Sequence, residues 1–278
     1  MAFPALLTVG PVIIGMLVVY MPMLRKLVYD WGHDDNYSHG FLIVPIAAYL
    51  VWERREDLMA ARPSPSALGL AILALGLLML VAGQLGAELF LTRISLICVL
   101  AGAVLFLYGW EHLRVVWFPL AFLLLMIPIP AIIFNQIAFP LQLLASRFGE
   151  TVLRLFDVPV LREGNVMTLA NTQLEVAEAC SGIRSLISLL TLGIVYGYFT
   201  DKRFLVRLVI ALSTIPVAIV ANGLRVAGTG IAAYRYGGEA AQGFFHEFSG
   251  WVVFVVSLAL VFVIHRTVLA VTPAPSKA

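Results

Sequence analysis

The feature that most limits what this chain can become is the recurrence of apolar stretches long enough to cross a bilayer. A spanning helix needs roughly 20 mostly apolar residues. Candidate spans lie at 3–24, 39–53, 66–86, 88–109, 113–130, 181–200, 205–226 and 249–266. The second is short, and the fifth ends in the breaker run Pro128-Ile129-Pro130. Only 12% of the residues are charged and 61% are hydrophobic, with a mean hydropathy of +0.97. A soluble domain carries about 25% charged residues, so this sequence cannot supply a water-soluble surface. The pattern predicts an all-α polytopic membrane protein with about eight transmembrane helices, read as a single membrane domain over 1–278. No internal repeat, low-complexity tract or second soluble domain stands out. The first stretch, Phe3 to Leu24, lacks a basic leading region and a small-residue cleavage site. It therefore reads as a retained helix, not a cleaved signal.

Lys and Arg in short loops set orientation. With the N-terminus in the cytoplasm, the inner segments hold Arg54, Arg55, Arg62, Arg114, Lys202, Arg203, Arg207, Arg266 and Lys277, and the outer ones Arg25, Lys26, Arg93 and Arg235. The excess inside predicts a cytoplasmic location for both termini. The long stretch 131–179 then falls outside. From Ile132 to Phe156 its apolar residues keep helical spacing, broken by Gln136, Gln142, Arg147, Glu150 and Arg154. That composition suits an extracytoplasmic amphipathic helix at the interface. Val158 to Asn165 reads as strand and turn, and Val166 to Glu175 as the return strand. A small hairpin is thus expected between the fifth and sixth spans. The net charge of +2, with no basic run longer than two residues, argues against a nucleic-acid partner; membrane lipids are the implied surroundings.

The segment Glu175-Val176-Ala177-Glu178-Ala179-Cys180-Ser181-Gly182-Ile183-Arg184-Ser185-Leu186 is the most informative. Cys180 stands where a polar outer stretch meets an apolar helix, and a helix N-terminus favours the thiolate. Arg184, four residues on, shares its face. The alternative is a small packed cysteine beside an interfacial, snorkelling arginine. The other cysteine, Cys98, lies inside an apolar run, so a disulfide is not expected. Asn222 and Arg225, in Ala221-Asn222-Gly223-Leu224-Arg225-Val226, share a face near the end of the seventh span. A charge within an apolar span costs roughly 2.5–3.5 kcal/mol on insertion scales and marks a functional candidate. Gly223, Gly228 and Gly230 suggest close helix packing there. His246 is outside, just before the last span; His33 and His39 are also outside, while His112 and His265 are cytoplasmic on this topology. A thiol, an imidazole and a cation on the same side are the parts acyl transfer needs. A zinc site from His33, Asp34, Asp35 and His39 is a weaker alternative, since no paired metal-ligand spacing is present. No metal and no cofactor are expected.

Ala-Cys-Ser-Gly-Ile-Arg at 179–184, Asn-Gly-Leu-Arg at 222–225 and Phe-His-Glu before the last span resemble the exosortase/archaeosortase family. So does Asn-Tyr-Ser-His-Gly at 36–40, followed by Pro45 and by Arg54-Arg55. The resemblance runs from about Trp31 to Arg266. It implies a multi-pass cysteine protease or transpeptidase at the outer face of the cytoplasmic membrane. Its partners would be exported proteins with a C-terminal sorting tail: a short motif such as Pro-Glu-Pro, a membrane helix and a basic end. The family's catalytic cysteine, arginine and histidine fall on Cys180, Arg225 and His246. Two other classes compete, a non-catalytic component of exopolysaccharide assembly and a transferase acting on a lipid carrier. A transferase needs carboxylates for metal and phosphate, and only Asp34, Asp35, Glu175 and Glu178 are well placed for that.

Overall fold

The computed structural model describes residues 3–176, 182–237 and 244–272, with side chains from residue 10 onward and, in the last segment, from residue 248. The chain divides into two compact units, one ending at Pro130 and one starting at Ala131.

The first unit is helical. Helix α1 (Phe3–His33) is followed by a 3-10 turn (Asp35–Tyr37), α2 (Gly40–Glu53), the short α3 (Arg55–Ala60), α4 (Ala67–Leu85), α5 (Leu89–Leu107) and α6 (Trp110–Phe122) with a 3-10 extension, Leu123–Met126. Helices α4 and α5 form a tight hairpin across the three residues Gly86, Ala87 and Glu88. Glu88 caps α5 by accepting from the N–H groups of Phe90 and Leu91, satisfying donors a helix start leaves free. Gly69, Gly76 and Gly83 line one face of α4 at seven-residue spacing. A methyl on Gly76 would fall 2.7 Å from Val99 Cγ2, and Gly69 and Gly83 press on Phe106 and Thr92. From the other side a methyl on Gly102 would fall 2.5 Å from the Leu73 backbone nitrogen. In lipid, where apolar surface gains little by leaving the acyl chains, such small-residue contacts hold helices together.

Polar groups of this unit are buried in pairs. Arg93 is 3% exposed and bonds to Asp30, which also receives Lys26 at 2.6 Å. Tyr20 and Ser95 share a hydrogen bond of 2.9 Å. Trp31 Nε1 donates to the Met126 carbonyl at 2.9 Å, and Ile129 N donates to the Tyr37 hydroxyl at 3.2 Å.

In the second unit the amphipathic α7 (Ala131–Leu155) buries Phe134, Ala138, Ala145, Ser146, Gly149 and Leu153. A three-stranded antiparallel sheet follows: β1 (Val160–Glu163), β2 (Val166–Leu169) and β3 (Gln173–Glu175), in that order. Gly164, at φ +66°, turns β1 into β2, a conformation that costs a side chain about 1–2 kcal/mol. Ser146 Oγ donates to the Gly164 carbonyl at 3.0 Å. Met167, Leu169, Val158 and Val176 form one apolar cluster with Leu153 of α7 and Val226 and Ala233 of α9. Helices α8 (Ile183–Thr200), α9 (Phe204–Tyr236) and α10 (Phe244–Val271) complete the unit. Leu189, Val206, Ile210, Ala218 and Val261 join them. The α8–α9 turn is clamped by Asp201, which pairs with Arg203 at 2.7 Å, while Arg203 Nη1 donates to the Thr272 carbonyl after α10. That bond from Arg203 holds the Asp201 carboxyl below its ordinary range.

Among the described residues, six helices are long and apolar enough to cross a membrane, or up to seven if Trp110–Met126 and Ala131–Leu155 count as one broken span. The protein is a polytopic, chiefly helical membrane protein. Two of the expected spans are shorter than a straight crossing needs: α2 has 14 residues and α6 has 13. The hydropathy pattern also sets some ends too early. Helix α1 carries on through Arg25, Lys26 and Asp30, because an i,i+4 ion pair lets charge ride on a helix. Helix α9 runs ten residues past Val226, where Ala227, Gly230 and Ala233 are buried against protein. Arg25, Lys26, Arg93 and Arg235, expected in loops, all sit on helices. The sheet has a third strand, β3, where the pattern suggested a hairpin of two.

Candidate functional site

Cys180 falls in 177–181, outside the described residues. His246 belongs to the first turn of α10, and its side chain is likewise outside them. What surrounds these positions in sequence is described, and it converges on one turn of α9.

Asn222, Gly223, Leu224 and Arg225 occupy that turn, and three of the four touch different helices. Asn222 is 3% exposed and faces Gly182, the residue before α8: a methyl on Gly182 would fall 2.7 Å from its Cγ. Gly223 admits the Phe148 ring of α7, whose Cδ1 would be 2.5 Å from an added methyl. Arg225, half-buried, lays its guanidinium across Gly250 of α10, where a methyl would fall 3.2 Å from Nη2 and 3.3 Å from Cζ. Gly250 is one helical turn after His246, and Gly182 is two residues after Cys180. Leu224, 52% exposed, points into an apolar groove of about 430 Å³ between α9 and α10. That groove runs from Leu224 and Val252 to Pro216 and Ile264.

The stretch that carries Cys180 is anchored at both described ends. On the upstream side Val176 exchanges bonds with Asn165: Val176 N donates to the Asn165 carbonyl at 2.9 Å, and Asn165 Nδ2 donates to the Val176 carbonyl at 3.2 Å. Downstream, Gly182 takes φ +80° and its carbonyl accepts from Leu186 N at 2.8 Å. Glycine is required there twice, by the left-handed backbone and by the Asn222 side chain. Arg184 lies on the first turn of α8, half-buried. The hydropathy argument for close packing at this level holds at Gly223 and at Gly230, which meets Leu153; Gly228 has nothing within 4 Å. Sequence reasoning held Gly182 only as part of the 179–184 motif and missed its contact with Asn222, the seat at Gly250 and the Asn165 clamp, since single small or amide residues carry no periodic signal.

Other candidates serve elsewhere. His39 is 9% exposed, and its Nε2 donates to the Leu125 carbonyl at 3.1 Å. Gly40 beside it sits under the Trp31 ring. The Asn36–Gly40 motif thus seats the start of α2 against the 3-10 extension of α6. His33 bonds to the Tyr29 carbonyl at 2.8 Å and stacks on the Tyr29 ring. His265 is buried on α10 against the Tyr196 hydroxyl, at 2.7 Å. Cys98 is a free thiol on α5. Among the described residues no three His, Cys, Asp or Glu side chains gather as metal ligands.

Comparison with known proteins gives one match. A family model described as transmembrane exosortase covers residues 31–263. No curated protein and no solved structure matches the chain.

Proposed function

The chain belongs to the transmembrane exosortase family, and from that membership we propose that it is a cysteine protease or transpeptidase of C-terminal sorting tails. The tails carry a Pro-Glu-Pro-like motif, a membrane helix and a basic end. Cleavage takes place at the outer face of the cytoplasmic membrane. The topology has eight crossings, with both termini inside and α2 and α6 as short spans, which thinning of the bilayer tolerates. The whole chain acts as one membrane domain; the family match, which runs through both units, supports this.

Cys180 is the nucleophile. Its thiolate attacks the scissile carbonyl carbon, and the carbonyl electron pair moves onto oxygen. Arg225 stabilises that oxyanion with donors already in place. The C–N bond then breaks, the amine leaves with a proton from His246, and a thioester remains. Water or an amine acceptor, deprotonated by His246, attacks the thioester and releases the thiolate. The tail's helix packs in the bilayer along the groove between α9 and α10, whose lining is apolar and includes Leu224, the residue before Arg225.

The observation that carries this reading is the reach of one α9 turn. Asn222 meets the residue two after Cys180, and Arg225 meets the residue one turn after His246. The test is tail processing in cells that express a tagged tail protein. Cys180→Ala should abolish cleavage, while Cys98→Ala should leave it intact, with membrane levels matched by immunoblot. Processing by Cys180→Ala would overturn the nucleophile assignment.

A further inference from the structure

The sheet of the second unit has two edges, and they differ. At one edge β1 packs on α7; there Arg162 Nε donates to Glu150 of that helix at 2.7 Å, and its Nη1 donates to the Gly164 carbonyl at 2.8 Å. At the other edge stands β3, with no strand beyond it among the described residues. Gln173 and Glu175 of β3 are exposed, and Leu174 between them is half-buried. The bonds to β2 fix which backbone groups of β3 are already used. Leu169 N donates to the Thr172 carbonyl at 2.8 Å and Val176 N to the Asn165 carbonyl at 2.9 Å, in the register that sets Met167 opposite Leu174. In an antiparallel pair such bonded residues alternate with unbonded ones. Thr172, Leu174 and Val176 therefore turn their N–H and C=O groups to β2. Gln173 and Glu175 turn theirs to the open edge, a row of donors and acceptors. Leu174 packs against the apolar cluster that holds Val226, the residue after Arg225, so this edge is tied to the α9 turn of the candidate site.

We propose that the β3 edge is a docking strand for the substrate: the stretch of the exported chain just before its tail helix lies along Gln173, Leu174 and Glu175 in extended form and adds a strand to the sheet. This rests on the reading of the protein as a tail-cleaving enzyme with the sheet outside. An extended segment carries a row of N–H and C=O groups without partners of its own. Close to the acyl chains water is scarce, and each group left unpaired there costs free energy. The open edge of β3 offers the matching row. Strand addition draws its affinity from the main chain and leaves side chains free to set specificity. An edge of three residues is too short to template the pairing of whole sheets, yet Gln173 and Glu175 suffice to hold one passing segment in register.

The measurement is photo-crosslinking in membranes that hold the full-length Cys180→Ala protein and the tagged tail protein. Gln173→p-benzoylphenylalanine keeps the backbone of the edge and should cross-link the tail protein. The same probe at Leu161 of β1, 60% exposed, should not. Proline is then placed in turn at each residue of the stretch before the tail helix. The cross-link at 173 should fall about two- to tenfold, the worth of one backbone hydrogen bond, at two positions two residues apart, and be spared at the position between. On the enzyme, Glu175→Pro removes one outward N–H and leaves the bonds to β2 whole. It should weaken the cross-link by a similar factor, and by more than Glu175→Ala does, at a normal membrane level. Recognition by side chains alone predicts no alternation along the tail and equal losses in the two Glu175 variants. Loss without alternation, equal cross-linking from 173 and 161, or a cross-link from 173 to a second copy of this chain in place of the tail protein overturns the proposal. Should Glu175→Pro fail to insert, the scan of the tail still decides. The two readings fail separately: a tail protein that the unaltered enzyme does not cut removes the cleavage reading, whereas cutting without a cross-link at 173 removes only the docking strand.

Discussion

Arg225 is where the choice between anchoring and chemistry is sharpest. Its guanidinium lies flat across Gly250, a seat that any side chain at 250 would disturb. Arginine offers a planar fork of donors, whereas lysine is a point charge. A lysine at 225 keeps the charge and loses the second directed bond. Arg225→Lys should therefore lower the cleavage rate about 100- to 1,000-fold, the usual cost of one oxyanion donor, at normal membrane levels. Near-normal processing would reduce Arg225 to an interfacial anchor. The histidines separate by a different measurement. His39 is buried with Nε2 committed to the Leu125 carbonyl. His39→Ala should thus lower the melting temperature of the detergent-solubilised protein, by the equivalent of about 1–3 kcal/mol for an orphaned buried acceptor, and leave residual cleavage. His246→Ala should insert and melt normally but fail to cleave. A dead His39→Ala beside an active His246→Ala would exchange their roles.

Among the elements, the α4–α5 hairpin shows most directly how small residues build this fold. Gly76 approaches Val99 so closely that a side chain at 76 must push the helices apart. Gly76→Leu should destabilise the protein by about 1–3 kcal/mol, the range for overpacking a close contact. Leu77→Ala, on the exposed side of the same helix, should cost little. Equal melting of the two variants would remove the glycine face as the hairpin's fastener. This hairpin was legible as two spans, 66–86 and 88–109 against α4 and α5, because both helices are apolar all round. Its fastening was not, because hydropathy scores Gly76 and Ala82 much alike. Where helices carry charge, the sequence pattern stopped short: α9 continues past Arg225 because Val226, Gly230 and Ala233 pack on α7 and the sheet. The amphipathic α7 was legible from its spacing, since one buried face and one polar face give a clear period. As for the site, the residue types and their order were readable. The use of Asn222 against Gly182 was not, since it pairs residues 40 positions apart through a left-handed turn.

For the whole molecule, the topology decides whether the α9 turn faces the outside. Single cysteines at Asn165 and Gly238 should react with an impermeant maleimide in intact cells, and one at Arg203 only after permeabilisation. Labelling of Arg203→Cys in intact cells would invert the orientation and undo the grouping of Cys180 with His246. The charges of the first unit bear on how such a chain is made. Arg93 has its counter-charge on Asp30, 63 residues earlier. A ribosome delivers α1 well before α5, so for some seconds Asp30 waits at the membrane without its final partner. Lys26, one turn away on α1, 47% exposed and paired with Asp30 at 2.6 Å, is placed to neutralise that carboxylate over the interval. Lys26→Ala should accordingly reduce the yield of inserted protein in a pulse-chase while leaving the melting temperature of the finished molecule nearly unchanged, and a matching fall in both would make Lys26 an ordinary structural partner.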